Sequence, residues 1–142
     1  MKYGELEELI MLEHQDGNKE RGKWLSQRRS EGFFIEKINE YVYEINGKKT
    51  NIKFANLRED NLFWFNTSFN RLRDIEVFVW LCGKAENYYV VPCEKMKQLI
   101  DAKNWFDKGH NRPEFCISLN HEYLPANIDI SSYHQNLSSL EP

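Results

Sequence analysis

Cysteine is scarce in this sequence, and the few cysteines present form no recognisable pattern. Cys82, Cys93 and Cys116 are widely spaced and odd in number, which is typical of free thiols in a reducing compartment rather than of a disulfide framework. The sequence also lacks Cys-x-x-Cys and His-x-x-His pairs, so a structural zinc site is not expected. These absences predict a cytoplasmic protein with mostly buried thiols.

Several other signals are missing as well. The seven glycines form no phosphate-binding loop, and no apolar run approaches the length that spans a membrane. The segment Met1–Glu5 is too acidic for a signal peptide. Basic residues are not in excess, because the net charge is −3. A generally basic nucleic-acid binder is therefore not expected, although the distribution of charge decides whether a local basic patch exists.

The sequence does contain enough apolar material for a core. Its 142 residues are 41% hydrophobic and 14% aromatic, and this length is typical of one domain. We therefore expect a single domain over residues 1–142, either a whole protein or part of a larger chain.

Asn46-Gly47 is the strongest short hairpin signal in the chain. Both residue types tolerate the positive φ that a type I′ turn requires. A two-residue loop sets the register, so that Ile45 faces Lys48 and Val42 faces Asn51. Because side chains alternate between the two faces of a sheet, one face is predicted to be core and the other a polar working or solvent face. The core face carries Tyr41, Tyr43, Ile45, Thr50, Ile52 and Phe54, and the polar face carries Glu40, Val42, Glu44, Lys49, Asn51 and Lys53.

The other segments predict helices at the amino terminus, then antiparallel strands, then strand, helix and strand. This order indicates an α+β (mixed α/β) fold, with a central mixed sheet built on the antiparallel hairpin and the N-terminal helices and a later helix packed on it. Asp16-Gly17-Asn18 is predicted to separate two helices, with Arg21 and Arg28 facing outward on the second. The predicted helices are 3–14, 19–30 and 93–102, and the predicted strands are 33–38, 62–66, 76–82, 88–91 and 115–119.

The order of these segments resembles the PD-(D/E)xK nuclease superfamily, the fold of many restriction endonucleases. The resemblance covers roughly residues 30 to 91, with an extension toward residue 119. It lies in Glu-Gly-Phe-Phe-Ile-Glu-Lys at 31–37, Tyr-Glu-Ile-Asn-Gly-Lys-Lys-Thr-Asn-Ile-Lys-Phe at 43–54, Phe-Trp-Phe-Asn at 63–66, Val-Phe-Val-Trp-Leu-Cys at 77–82 and Tyr-Tyr-Val-Val-Pro at 88–92.

The resemblance implies a metal site whose ligands this chain lacks. In the family, two carboxylates on adjacent strands hold a divalent cation and a lysine positions or activates water. Carried across, the lysine falls on Lys53, one carboxylate on Asn51 and its partner on Val42. An amide offers a neutral oxygen and an alkyl group offers none, so such a site would bind Mg²⁺ poorly. The resemblance therefore implies a nuclease-like fold with a degenerate metal motif.

Glu40 and Glu44 flank Val42 on the same predicted face and are candidates for relocated metal ligands. Together with Lys53 and Asn51 they form the candidate catalytic set, which would require Mg²⁺ only if it is active. The plainer interpretation is that Glu40–Lys53 and Glu44–Lys49 are cross-strand ion pairs, each worth about a few tenths of a kcal/mol.

Basic residues cluster locally despite the acidic total. Cations on one face replace counterions along a phosphate backbone, and aromatic, Arg and Asn side chains stack on or read bases. The alternative is a scattered, solvated surface on which Trp105 only caps the core. The candidate DNA-binding residues are Arg28, Arg29, Lys48, Lys49, Arg71, Arg73, Trp105, Lys108, His110 and Arg112.

Three functions follow from these observations. The first is a DNA-binding domain of a restriction-modification or defence system, nuclease-like in fold but with an inactive metal site and no cofactor. The second is an active Mg²⁺-dependent DNA endonuclease that uses the relocated carboxylates. The third is a protein-interaction module. The expected partner is duplex DNA rather than a membrane, and a homodimer or a neighbouring domain is a further possibility.

Overall fold

The chain begins with one long helix where its sequence predicts two. In the computed structural model, which describes residues 3–101, 113–118, 123–124 and 128–142, helix α1 (Tyr3–Ser30) runs unbroken through Asp16-Gly17-Asn18. A Cβ atom at Gly17 would lie only 3.3 Å from Phe54 Cδ1. The glycine therefore permits close packing between helix and sheet, and the predicted break is wrong.

Strands and two shorter helices follow α1 in the described part of the chain. The elements are β1 (Ile35–Lys37), β2 (Val42–Ile45), β3 (Lys48–Ala55), β4 (Leu62–Asn66), α2 (Phe69–Asp74), β5 (Val77–Cys82), β6 (Tyr88–Pro92), α3 (Cys93–Asp101), β7 (Glu114–Ser118), β8 (Tyr123–Leu124), β9 (Ile128–Asp129) and the 3-10 turns Ser131–Tyr133 and Ser138–Leu140.

The central sheet has five strands in the order β1-β2-β3-β5-β6. β3 and β5 are parallel, joined by a crossover through β4 and α2, and the other neighbours are antiparallel. β4 pairs with β7, and β8 pairs with β9, in separate two-stranded sheets. The fold is therefore α+β with a central mixed sheet, as the sequence predicts.

The Asn46-Gly47 hairpin has the predicted register. Asn46 and Gly47 have φ values of 48° and 82°, as a type I′ turn requires. The four predicted pairs from Ile45–Lys48 to Val42–Asn51 are present. One more backbone hydrogen bond follows, from Ile52 N to the carbonyl oxygen of Tyr41 at 2.9 Å. The predicted Glu40–Lys53 contact is not formed, because Glu40 contacts His14 at 3.5 Å.

Both faces of the central sheet are buried, which the hairpin pattern does not predict. On one face α1 contributes Trp24 and Leu25, as expected. On the other face the β4–β7 sheet, α2 and α3 form a second core. Val42 and Asn51 lie in this second core region, 4% and 1% exposed. The prediction of an open polar face is therefore wrong at its centre, because a second layer of structure covers it.

The C-terminal segment is docked on the core. Leu140 is fully buried in the core beneath α1. Its carbonyl oxygen accepts a hydrogen bond from Asn46 Nδ2 at 2.9 Å, and Lys48 Nζ donates to the carbonyl oxygens of Ser139 and Glu141. The hairpin turn thus holds the end of the chain.

The other predicted elements agree with the structure within a few residues. The run from Val77 to Cys82 is a fully buried central strand, and α3 buries Met96 and Leu99. Strand β7 is not the last, because two short strands follow it. No helix among the described residues is long and apolar enough to cross a lipid bilayer.

Candidate functional site

Two adjoining cavities form a groove where α1 crosses the end of β3 and α2 begins. Their volumes are about 380 and 430 Å³, and both are lined by Arg21, Tyr41 and Phe54. We call their combined lining the cationic groove. The first cavity adds Lys53, Asn66, Ser68 and Arg71, and the second adds Glu13, His14, Gly17 and Arg58.

Arg21 lies at the centre of the cationic groove. Its side chain is 6% exposed, its Nε donates to the carbonyl oxygen of Ile52 at 3.2 Å, and its Nη1 donates to Asn18 Oδ1 at 3.0 Å. The guanidinium also lies 4.8 Å from the centre of the Tyr41 ring. Desolvation by burial lowers the pKa of Arg21 below its usual range, so a bound anion would compensate for the lost solvent.

Lys53 reaches the groove from β3. Its Nζ donates to both the backbone carbonyl oxygen and the side-chain Oδ1 of Asn66, the latter at 3.3 Å. These contacts fix the ammonium group of Lys53 against the last residue of β4. The lysine expected from the nuclease resemblance therefore lies in the groove, but it is held by an amide.

Arg71 enters the groove from the first turn of α2. The helix is capped by Ser68, whose Oγ accepts from Arg71 N at 3.2 Å. Arg71 Nη1 is buried, and it has no hydrogen-bond partner in the described part of the chain. A buried donor without an acceptor costs about 1–3 kcal/mol. Arg71 also lines the first cavity, so its guanidinium adds positive charge to the groove.

The electrostatics of the groove favour an anion. Among the described residues, the first cavity is lined by three cationic side chains and by no carboxylate. The second cavity adds exposed Arg58, and it is also lined by Glu13 and by His14, which contacts Glu40. Arg and Lys donors arranged in this way are the groups that recognise phosphate oxygens.

The predicted catalytic set is not assembled. Asn51 lies in the core, where its Nδ2 donates to the carbonyl oxygen of Tyr41 at 3.2 Å. Glu40 contacts His14, and Glu44 is exposed opposite Glu36 and Lys49. In the chain as described, no three His, Cys, Asp or Glu side chains are grouped so that they could hold a metal ion.

The predicted cross-strand ion pairs are also replaced by other contacts. Lys49 Nζ contacts Asp74 Oδ2 at 2.8 Å instead of Glu44. Lys53 bonds Asn66 instead of Glu40.

The predicted DNA-binding residues are dispersed. Arg71 lines the cationic groove, but Arg73 on the same helix is exposed and lines a different cleft. Arg28 is buried with its guanidinium 5.2 Å from the ring centres of Trp24 and Tyr88, contrary to the outward orientation predicted for it. Arg29 is exposed, Lys48 and Lys49 make the contacts described above, and Trp105, Lys108, His110 and Arg112 lie outside the described residues.

Sequence reasoning missed Arg21 as a groove residue because it treated the first helix as two. On one continuous helix, residues three and four apart share a face. Gly17, Arg21 and Trp24 follow that spacing and continue to Arg28, and all four are buried. This stripe is the signal that identifies Arg21. Arg58, Tyr41, Asn66 and Ser68 carry no comparable signal.

Comparison of this chain with protein-family models, with curated proteins and with solved structures finds no match.

Proposed function

We propose that this chain binds DNA through the cationic groove and does not cut it. The groove lies beside the end of β3, at the position that the nuclease resemblance gives to the catalytic lysine. In this proposal the phosphodiester backbone occupies the groove, where Arg21, Lys53 and Arg71 contact its oxygens. The assignment to a restriction-modification or defence system follows from the resemblance alone and belongs to the same proposal.

One observation carries the proposal: Arg21, Lys53 and Arg71 line a single cavity whose described lining contains no carboxylate. Surface cations in proteins are commonly paired with carboxylates, as Lys49 is with Asp74. Three cations that line one cavity, two of them held in place by hydrogen bonds, favour a polyanionic ligand.

Binding without cleavage is favoured by the surroundings of Lys53. The positions that correspond to the family carboxylates, Asn51 and Val42, are buried in the second core region. Glu40 and Glu44 do not line the cavity that holds Lys53. Endonuclease activity with relocated carboxylates therefore has weaker support than binding alone.

The proposal is tested with an Arg71→Gln variant. Gel shifts with a duplex of about 20 base pairs should show wild-type binding that weakens steeply as salt rises, because bound phosphates release counterions. We expect Arg71→Gln to lower affinity about tenfold and to reduce the salt slope by about one phosphate contact. Arg73→Gln on the same helix is the matched control, and it should change affinity less than about twofold.

Two results would contradict this function. Wild-type protein that fails to shift duplex DNA at low salt is not a DNA-binding domain, and a pull-down would then test for a protein partner. Equal effects of the Arg71 and Arg73 substitutions would show that the groove is not the contact surface. Incubation with Mg²⁺ or Mn²⁺ should leave the duplex intact, and cleavage that Lys53→Ala abolishes would favour an endonuclease instead.

A further inference from the structure

A larger cavity continues from the end of the cationic groove. Its volume is about 1040 Å³, and it shares Glu13 with the groove. It lies at the carboxyl ends of the parallel strands β3 and β5, next to Asn56 and Gly83. Ligands in mixed and parallel sheets commonly bind outside these strand ends. Its size slightly exceeds the usual range of small-molecule sites.

Flat groups form part of the wall of this cavity. Gly83 has a φ of 77°, and a Cβ placed there would lie 3.5 Å from Phe63 Cε1. A side chain at position 83 would therefore cover the edge of the Phe63 ring, which glycine leaves open to the cavity.

His134 is the second flat group, and its orientation is fixed. Asn87 Nδ2 donates to the carbonyl oxygen of Cys82 at 3.2 Å, so Asn87 Oδ1 is oriented as an acceptor. It lies 2.8 Å from His134 Nε2, which must therefore carry the donated proton. The imidazole also packs on Tyr89, with 4.9 Å between ring centres. The ring is thus a preorganised planar surface.

Asn56 supplies the polar recognition group. It directly follows the last residue of β3 and is half-buried. No hydrogen bond engages its side-chain amide within the described chain. An amide presents a donor and an acceptor side by side, which matches the edge of a nucleobase. Leu57, which also lines the cavity, is 41% exposed and offers apolar contact to the same ligand.

We propose that this cavity receives a base turned out of the duplex that the cationic groove binds. The inference rests on the proposed function and extends it. Along the chain, Arg58 lines the groove while Asn56 and Leu57 line the cavity. A phosphate at Arg58 therefore places the attached nucleotide at the cavity mouth. There the base forms hydrogen bonds with the Asn56 amide and lies against Phe63 and His134. Extrusion is least costly for a base that is already mispaired.

Binding to three duplexes tests the inference: one fully paired, one with a single mismatch and one with abasic sites on both strands at the same position. Wild type should bind the mismatched duplex about tenfold more tightly than the paired one, because only the mismatched base is extruded at low cost. The abasic duplex has similar local flexibility but no base, so it should not show this gain. The mismatch-to-abasic ratio therefore measures the pocket rather than DNA deformability.

Substitutions at Asn56 locate the effect. Asn56→Ala and Asn56→Asp should each reduce the mismatch preference, which is the affinity for the mismatched duplex relative to the paired one, to about twofold or less. Gln98→Ala, an exposed change on α3 that lines neither the groove nor this cavity, should retain the full preference. Equal wild-type affinity for mismatched and abasic duplexes would overturn the base pocket but leave groove binding intact. The absence of binding to every duplex would overturn both proposals.

Discussion

At the residue scale, two glycines on one helix have opposite consequences. Gly17 is buried against Phe54 in the wall of the cationic groove, whereas a Cβ at Gly22 would have no neighbouring atom within 4 Å. Glycine in a helix interior costs about 0.5–1 kcal/mol relative to alanine. The space around each glycine therefore decides whether replacement by alanine can stabilise the helix.

Alanine substitutions at these two glycines make a matched pair. Gly22→Ala should raise the free energy of unfolding by about 0.5–1 kcal/mol. Gly17→Ala should be at least about 0.5 kcal/mol less favourable, because its new Cβ would lie only 3.3 Å from Phe54 Cδ1. Urea unfolding monitored by circular dichroism measures both. Equal gains at the two positions would show that the helix and sheet are not in close contact at Gly17.

The buried thiol of Cys82 makes the stability of the protein depend on pH in the alkaline range. Burial raises the pKa of its thiol, so the folded protein keeps the proton where the unfolded chain loses it. The thiol's contribution to stability is complete below about pH 8.5, the ordinary thiol value, and is lost progressively above it. The expected slope is about 1.4 kcal/mol per pH unit.

A Cys82→Ala variant isolates this effect, because the other groups that titrate at high pH are common to both proteins. The stability difference between wild type and variant should shrink or reverse between pH 8 and pH 10. A difference that is independent of pH would contradict the protonated, buried thiol.

At the element scale, the hairpin turn does more than reverse the chain. Asn46 Oδ1 accepts from Phe34 N at 2.9 Å, while its Nδ2 donates to the carbonyl oxygen of Leu140. One side chain thus joins the turn to the approach to β1 and to the C-terminal segment. The positive φ at Asn46 is a separate requirement of the same residue.

Two substitutions at Asn46 separate these roles. Asn46→Gly keeps the backbone conformation and removes two hydrogen bonds, so it should cost about 1–3 kcal/mol. Asn46→Ala should lower the free energy of unfolding by about 1 kcal/mol more than Asn46→Gly, because alanine disfavours the left-handed region. Thermal and urea unfolding supply the comparison. Equal costs for the two variants would contradict the strained-turn component.

At the scale of the whole molecule, the end of the chain belongs to the core. Leu140 is fully buried among the residues that α1 covers. Its carbonyl oxygen accepts a hydrogen bond from the side-chain amide of Asn46, 94 positions earlier in the chain. Leu140→Ala should therefore lower stability by about 2–5 kcal/mol. Leu12→Ala, at a position 49% exposed on α1, should change it by less than about 0.5 kcal/mol. A small effect at Leu140 would mean that the segment is not docked.

The sequence by itself determined the local features of this protein. The Asn-Gly turn sets the hairpin register, and the run from Val77 to Cys82 predicts a buried strand, because turn chemistry and apolar runs act within a few residues. The α+β class follows from the same signals. Lys53 is a candidate through the nuclease resemblance and Arg71 through the local clustering of basic residues, but nothing in the sequence pattern brings them together.

Only the tertiary structure decided which surfaces remain open. The β4–β7 sheet covers the hairpin face that alternation assigned to solvent, and it buries Asn51. Because α1 is continuous, Arg21 lines the same cavity as Lys53 and Arg71. Both outcomes depend on packing between residues far apart in the chain, where the free energy of burial outweighs the local preferences that a sequence pattern records.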